Sequence, residues 1–438
     1  MTRIIAVSTV LLALVAPALA QDSLNCRQVA LWPEPPDDYI DGYKIALDPL
    51  RDLVFLRLWG NETLGNDPYL GVHILDVRDP AHPRRLSSTR HDGGDEYLGL
   101  AYHGNRLYFG QEDHWEIWDV SDPEEPAKLA RVDDIGAYGL AVDGDYLYVA
   151  CEQLYVFDVS DPRNPVEVGR CTTPEFAYNV FVAEGLAYVV DVEFGLRIID
   201  ISDPTAPREI GACEIFRSWQ VAVARGYAYL TDDKWGGADT AYWHIVDISD
   251  PENPVLVVSV PERHGTEGIA ASEDEALVYI GSGSSSRGML VFDVSNPAEP
   301  VEVGYYRDNN PSRPFQPTDI VLAGRLAFVA AAGDLRVIEF LGTGVEEPPN
   351  ERPSFAGHGP TVVRGVLMLS GLGTRSELSD NSVMSRAALL NASGRKVMEL
   401  QPGDNDVRHL SPGVYFIRAE GSRIQGVEGS SAKVVIQR

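Results

Sequence analysis

The sequence is short of cysteine, methionine, basic residues and long apolar runs, and each shortage removes a class of protein. Among 438 residues there are 4 Cys and 5 Met. The cysteines form no CxxC and no Cys/His cluster at metal-binding spacing, which excludes a zinc ribbon or a densely disulfide-bonded scaffold. Basic residues number 36 against 65 acidic ones, giving a formal charge of −29. Such a field repels nucleic acid and favours cationic partners. No stretch after the first twenty residues approaches the roughly 18 apolar residues of a membrane-spanning helix, so the mature chain is expected to carry no transmembrane segment. Long helices are excluded too, because 40 Gly and 29 Pro punctuate the chain too often, although not in the proportion of a collagenous or disordered one. Enzyme fingerprints are also missing: HExxH, GxSxG, P-loop and dinucleotide-binding patterns do not occur, and the 9 His residues are scattered. Neither a cofactor, a metal centre nor a catalytic set of residues is expected.

What is present begins with Met1 to Ala20: one basic residue, Arg3, an apolar run from Ile4 to Val15, and a small-residue end, Ala18-Leu19-Ala20. This is the pattern of a secretory signal peptide, residues 1–20, with cleavage expected before Gln21. Export permits disulfides. Cys171 and Cys213 hold similar places in neighbouring repeats, and two readings stay open, a bridge between them or small buried thiols.

Self-comparison gives the strongest signal. The phrase Phe157-Asp158-Val159-Ser160-Asp161-Pro162-Arg163-Asn164-Pro165 recurs with small changes at Leu75 to Pro83, Trp118 to Pro126, Ile199 to Pro207, Val246 to Pro254 and Phe292 to Pro300, and in degenerate form at Ile338-Glu339-Phe340. Its first acidic residue falls at 76, 119, 158, 200, 247, 293 and 339, so the period lies between 39 and 47 residues. Within one unit, Tyr138 to Val142, Tyr146 to Cys151, Leu154 to Val159 and Val166 to Cys171 read as four strands, joined by Asp143-Gly144-Asp145 and by the phrase itself as turns. Four antiparallel strands in a period of about 40 to 50 residues predict propeller blades. The twin carboxylates of the phrase could be taken for a catalytic or a weak calcium motif. Turn physics explains them better, since Ser and Asp side chains bond nearby backbone N–H groups and Pro ends ladder pairing. Six copies also argue against a single catalytic site.

The units resemble the LVIVD-repeat family on Ala187-Tyr188-Val189-Val190, Gly195-Leu196-Arg197-Ile198-Ile199-Asp200-Ile201-Ser202-Asp203-Pro204, Pro207 and Glu209-Ile210-Gly211. The resemblance runs to Leu341 and implies a β-propeller of exported, often cell-surface proteins; the family brings no established reaction or ligand. The seventh unit, Thr318 to Phe340, offers only three strands, and Arg27 to Pro33 looks like the fourth strand that precedes a blade elsewhere. The expectation is an all-β chain with a seven-bladed propeller over 21–341, closed by its N-terminal strand.

Residues 342–353 read as a Gly/Pro/Glu-rich linker, and 354–438 as a small Ig-like β-sandwich with short strands such as Ala387 to Leu390 and Val414 to Arg418. Leu389 to Val397, Gly403-Asp404-Asn405, Leu410 to Phe416 and the ending Lys433 to Arg438 resemble a C-terminal sorting domain of the type IX secretion route. That resemblance implies the secretion machinery as a partner, and an address outside the cell or on its outer surface. A plain accessory sandwich would instead leave the protein in the periplasm.

Aligning the inner strands gives two columns. One reads Tyr43, Leu98, Tyr138, Tyr178, Trp219, Glu267 and Thr318; the next reads Lys44, Gly99, Gly139, Asn179, Gln220, Gly268 and Asp319. Strand alternation is expected to turn the second column toward the central channel. The ligand-binding candidates at the channel mouth are Lys44, Tyr138, Tyr178, Asn179, Trp219, Gln220, Trp235 and Asp319, which suit a sugar or a peptide loop. The plainer account is that Gly and small polar residues fit and hydrate a crowded axis. The expected function is recognition of an extracellular protein or glycan by the loop-rich face. The alternative is an extracellular polysaccharide hydrolase or lyase on the same scaffold, which needs paired carboxylates about 5 to 9 Å apart.

Overall fold

The structure is a computed structural model that describes residues 22–32, 40–60, 71–89, 99–232, 241–262, 265–282, 288–308, 315–331 and 334–342, together with C-terminal strands at 361–363, 366–369, 386–391, 396–400, 403–406, 413–420 and 431–436. Among these residues all regular structure is β, and no helix is long and apolar enough to cross a membrane. The chain divides into two compact units after Val345.

The first unit holds seven antiparallel sheets, the blades of a propeller. In six of them, strands a to d follow in chain order from the axis outward. In blade 3 they are Gly139–Asp143, Tyr146–Ala150, Leu154–Asp158 and Val166–Cys171. Strands b and c are buried almost throughout, because both faces of a blade pack against neighbours and the usual polar alternation is lost. The core therefore lies between blades: Tyr148 and Val156 of blade 3 pack with Val180, Val189 and Ile199 of blade 4.

The repeated phrase forms the turn between strands c and d. In blade 3, Ser160 N donates to Asp158 Oδ1 at 2.9 Å and Arg163 N to Asp161 Oδ1 at 3.1 Å. Equivalent pairs of bonds recur in blades 1, 2, 4 and 5. Each carboxylate thus satisfies a backbone N–H that the turn would otherwise leave unpaired.

The same turn grips the preceding blade. Every d strand carries a bulge, at Val168 in blade 3 and Ile210 in blade 4, followed by Gly169 and Gly211. A Cβ on Gly169 would lie 2.3 Å from Pro204 O, and one on Gly211 would lie 2.1 Å from Pro251 O. The Val-Gly of one repeat and the Asp-Pro of the next are therefore two halves of one inter-blade contact. In blade 1 Ser87 holds the glycine's place, and its hydroxyl donates to Pro123 O at 2.6 Å.

Blade 7 takes its strand d from the N-terminus: Cys26–Leu31 pairs with Asp334–Phe340. Just before it, Asp22–Leu24 adds a fifth strand to blade 6 beside Val301–Arg307. Asn25, in the left-handed region at φ 51°, carries the chain from one blade to the other, and its Nδ2 donates to Val303 O at 2.6 Å. At blade 6 this segment stands where a c–d turn stands elsewhere. A Cβ on Gly304 would lie 3.0 Å from Leu24 O and 3.2 Å from Cys26 Sγ. Cys26 is sealed in the core here, and burial pushes its thiol up to about 12. All four cysteines are free thiols; Cys171 and Cys213 form no bridge.

The second unit contains a five-stranded sheet in the order Thr361–Val363, Ser431–Ile436, Gly413–Glu420, Arg386–Asn391, Lys396–Leu400. The first pair is parallel and the others antiparallel. Val366–Leu369 pairs separately with Gly403–Asp406.

Candidate functional site

In a four-strand blade the d-to-a and b-to-c connections share one face, and the c–d turns lie on the other. The a strands begin at the first, loop-rich face, and five of them are bulged there. Pairing jumps from Gly42 to Lys44, Ala177 to Asn179, Ser218 to Gln220, Thr266 to Ile269 and Pro317 to Asp319. A bulge inserts one residue and re-aims its side chain, so the simple alternation expected of the two columns does not hold at this level.

The aromatic members of the first column stack on one another. Tyr178 and Trp219 have centroids 4.0 Å apart at an interplanar angle of 29°. Tyr138 leans on Tyr178 at 5.6 Å, and Phe176 meets the Tyr138 ring edge-on at 4.8 Å. The row crosses blades 3, 4 and 5, with Tyr178 buried and Tyr138 and Trp219 half-buried.

Polar members of the second column connect blades to each other. Lys44 Nζ of blade 1 lies 3.9 Å from Asp319 Oδ2 of blade 7, and that oxygen accepts from Ile45 N at 3.1 Å. Burial pushes the Asp319 carboxyl up from its ordinary value, against the opposing pull of Lys44 and the Ile45 and Ile320 N–H groups. Gln220 Nε2 of blade 5 donates to Thr318 O of blade 7 at 2.9 Å. It passes blade 6 where that blade has only Gly268, whose Cβ, if present, would lie 3.0 Å from Asp319 N. Asn179 is half-buried against Gly139, where a Cβ would come within 2.7 Å of Asn179 Cα. Inner strands thus touch at the glycines and are tied by polar side chains beside them. Trp235 and the side chain of Tyr43 lie outside the described residues.

Three exposed aromatic side chains on this face belong to neither column: Phe194, Phe216 and Tyr242. They stand at loops and strand ends, where no period marks them, and the sequence offered only the oddity of aromatics among polar loop residues. Arg217 lies over the Phe216 ring at 5.3 Å and Arg197 over Phe194 at 5.9 Å.

For acid–base or nucleophilic chemistry the described residues offer one Ser/His/Asp arrangement. Ser259 Oγ is 2.9 Å from His244 Nδ1, and His244 Nε2 is 3.8 Å from Asp232 Oδ2. Ser259 sits mid-strand directly opposite His244, with no strand-to-helix elbow to present its hydroxyl, and a cross-strand hydrogen bond is the ordinary role of such a pair. Among the described residues no three His, Cys, Asp or Glu side chains converge as a metal site.

The LVIVD repeat matches residues 136–173, 176–214, 217–261 and 266–308, which are blades 3 to 6; blades 1, 2 and 7 lie outside the matched segments. No curated protein is significantly similar in sequence. Solved structures share the fold. A chain of the mitotic checkpoint complex covers 77% of this chain and 98% of its own length at 12% identity, with a TM-score of 0.53. The structure of U3-55K covers 70% and 100% at 10% identity, with a TM-score of 0.51. Sqt1 from Chaetomium thermophilum covers 73% and 86% at 14% identity, with a TM-score of 0.50.

Proposed function

We propose that this LVIVD-repeat propeller is an exported, non-catalytic binding or scaffold protein that recognises an extracellular protein or glycan through its loop-rich face. The C-terminal region, in this reading, is an Ig-like type IX sorting domain that delivers the protein to the outer surface or the medium. The observation that carries the binding role is the stacked row Tyr138–Tyr178–Trp219, whose last two members sit on bulges of the inner strands. Aromatic faces supply large contact area at low entropic cost, and rigid scaffolds with variable loops commonly hold binding sites. Lys44, Asn179, Gln220 and Asp319 enter as the polar candidates of the inner strands, where the Lys44–Asp319 and Gln220–Thr318 contacts tie blades together.

Binding of the full-length secreted chain to a panel of extracellular proteins and glycans, before and after Trp219→Ala, tests the site. A ligand whose affinity is unchanged by Trp219→Ala and by Lys44, Gln220 and Asp319 substitutions together argues against it. Depolymerisation of an extracellular polysaccharide by the purified chain would favour the hydrolase or lyase alternative. Fractionation of cells expressing the chain with and without residues 354–438 tests the address, since a sorting domain predicts retention in the periplasm on its loss.

A further inference from the structure

The loop-rich face over blades 2 to 5 combines two features that a purely structural surface has no need of. The first is exposed aromatic area. Phe216 is 61% exposed, Phe194 38% and Tyr242 37%, and these are the exposed aromatic side chains of the described residues. The loops bearing the first two abut, since a Cβ on Gly195 would lie 2.3 Å from Ile215 N. Beside them runs the row from Phe176 to Trp219.

The second feature is charge. The six connections at 111–113, 134–138, 151–153, 172–176, 192–194 and 214–217 carry seven exposed carboxylates and a single basic side chain, Arg217. Phe216 already accepts a guanidinium on its ring, that of Arg217. Arg217 itself is held in the left-handed region at φ 66°, where a bulky residue is rare and where outliers gather at functional loops. Aromatic faces attract cations through their quadrupole, and carboxylates around them add direct ion pairing. A neutral sugar would make use of the rings but not of the charge, and a polyanion would be repelled by it.

We propose that this arc docks a basic segment of a protein partner, with Lys or Arg side chains laid over the Phe194, Phe216 and Trp219 rings and between the carboxylates of Glu175, Glu193 and Glu214. The proposal rests on the reading that the loop-rich face binds, and adds the chemistry of the occupant. Its test uses the full-length secreted chain and a short fluorescein-labelled peptide of Lys, Arg, Gly and Ser, with Gln-for-base and Glu-for-base versions as controls. Fluorescence anisotropy is followed at low and at physiological salt. The basic peptide is expected to bind and the controls not. Phe216→Ala should weaken binding about five-fold and the triple change Glu175→Gln, Glu193→Gln, Glu214→Gln about ten-fold. Val166→Ser, at an exposed position on the opposite rim, should leave it unchanged. Phe216 is exposed enough that its truncation spares the fold, which the melting curve verifies. Equal binding by every variant would mean that net charge alone attracts the peptide, and would overturn the proposal. Phe216-dependent binding of neutral oligosaccharides without binding of the basic peptide would overturn it while leaving the face as a binding site. Binding of neither would remove both.

Discussion

Replacing Gly211 by Ala puts the inter-blade contact under load. The new Cβ would lie 2.1 Å from Pro251 O and 3.0 Å from Pro254 Cδ. That carbonyl is backbone in a turn fixed by its own bonds, Ser249 N to Asp247 Oδ1 at 2.9 Å and Asn253 N to Asp250 O at 3.0 Å. Carbon and oxygen settle at about 3.3 Å or more, so turn or strand must give way by about 1 Å. Overpacking of this kind costs about 1 to 3 kcal/mol, and the stiffer unfolded chain offsets about 0.5 of it. A net loss of about 1.5 kcal/mol is expected. Gly144→Ala separates steric from conformational cost, because Gly144 has φ 57° but nothing within 4 Å of a Cβ, so about 1 kcal/mol of left-handed strain is all it should lose. Equilibrium urea unfolding followed by tryptophan fluorescence ranks the two. A midpoint for Gly211→Ala at or above that of the unsubstituted protein, or above that of Gly144→Ala, would mean that the turn does not press on the strand.

Removing residues 22–32 exposes the edges of blades 6 and 7 and loses the burial of Cys26, Ala30 and Trp32, about 4 kcal/mol from Cys26 and Trp32 alone; hydrogen exchange should then lose protection along Asp334–Phe340, and unchanged protection contradicts the closure. The Asp319 carboxyl is raised in the fold, so the folded state holds its proton longer than the unfolded one, and this group's contribution falls as pH rises from about 4 through the folded value. Asp319→Asn should flatten that slope in urea midpoints measured against pH. Lys44→Met should cost about 1 to 2 kcal/mol at neutral pH and little in the Asp319→Asn background, because the pair is largely buried but held no closer than 3.9 Å; equal losses in both backgrounds would disprove the coupling. The turn carboxylates Asp119, Asp158, Asp200 and Asp247 are held low by the hydroxyl and N–H of the Ser two residues on, and Asp76 is held at about 2 by Arg78. Their stabilisation is present above the ordinary carboxylate value and fades as pH falls through about 4 toward 2; a urea midpoint that does not drop across this range would refute the turn bonding.

The blades were legible because their determinants are local. Asp158 and Asp161 each accept from the backbone N–H two residues on, and the apolar runs on either side need no distant partner to read as strands. The aromatic column Tyr138, Tyr178, Trp219 was equally plain as a column. Its stacking was not, since it depends on the bulges at Tyr178 and Trp219, which arise from pairing between strands. Nor does anything near Lys44 point to Asp319, or anything near Gln220 to Thr318, because ring closure and the gap left by Gly268 bring them together. Gly211 and Pro251 were both visible as motif residues. Their contact is not legible in the sequence, because it joins non-equivalent positions of neighbouring units while a repeat aligns equivalent ones.

The N-terminal clasp has a consequence for the order of assembly. Pairing Cys26 with Phe340 closes a loop of roughly 300 residues, which costs about 5 kcal/mol of chain entropy if nothing else is ordered. The cost vanishes only once the intervening blades hold both ends within reach, so a strand made near the start of the propeller is the last to be placed. Until then Cys26–Leu31 and the edge of Asp334–Phe340 are complementary and unsatisfied, and the matching strand of a second molecule can fill either one. Refolding is therefore a competition between an intramolecular closure of fixed rate and an exchange that grows with concentration, and dilution decides how much of the chain returns as single rings.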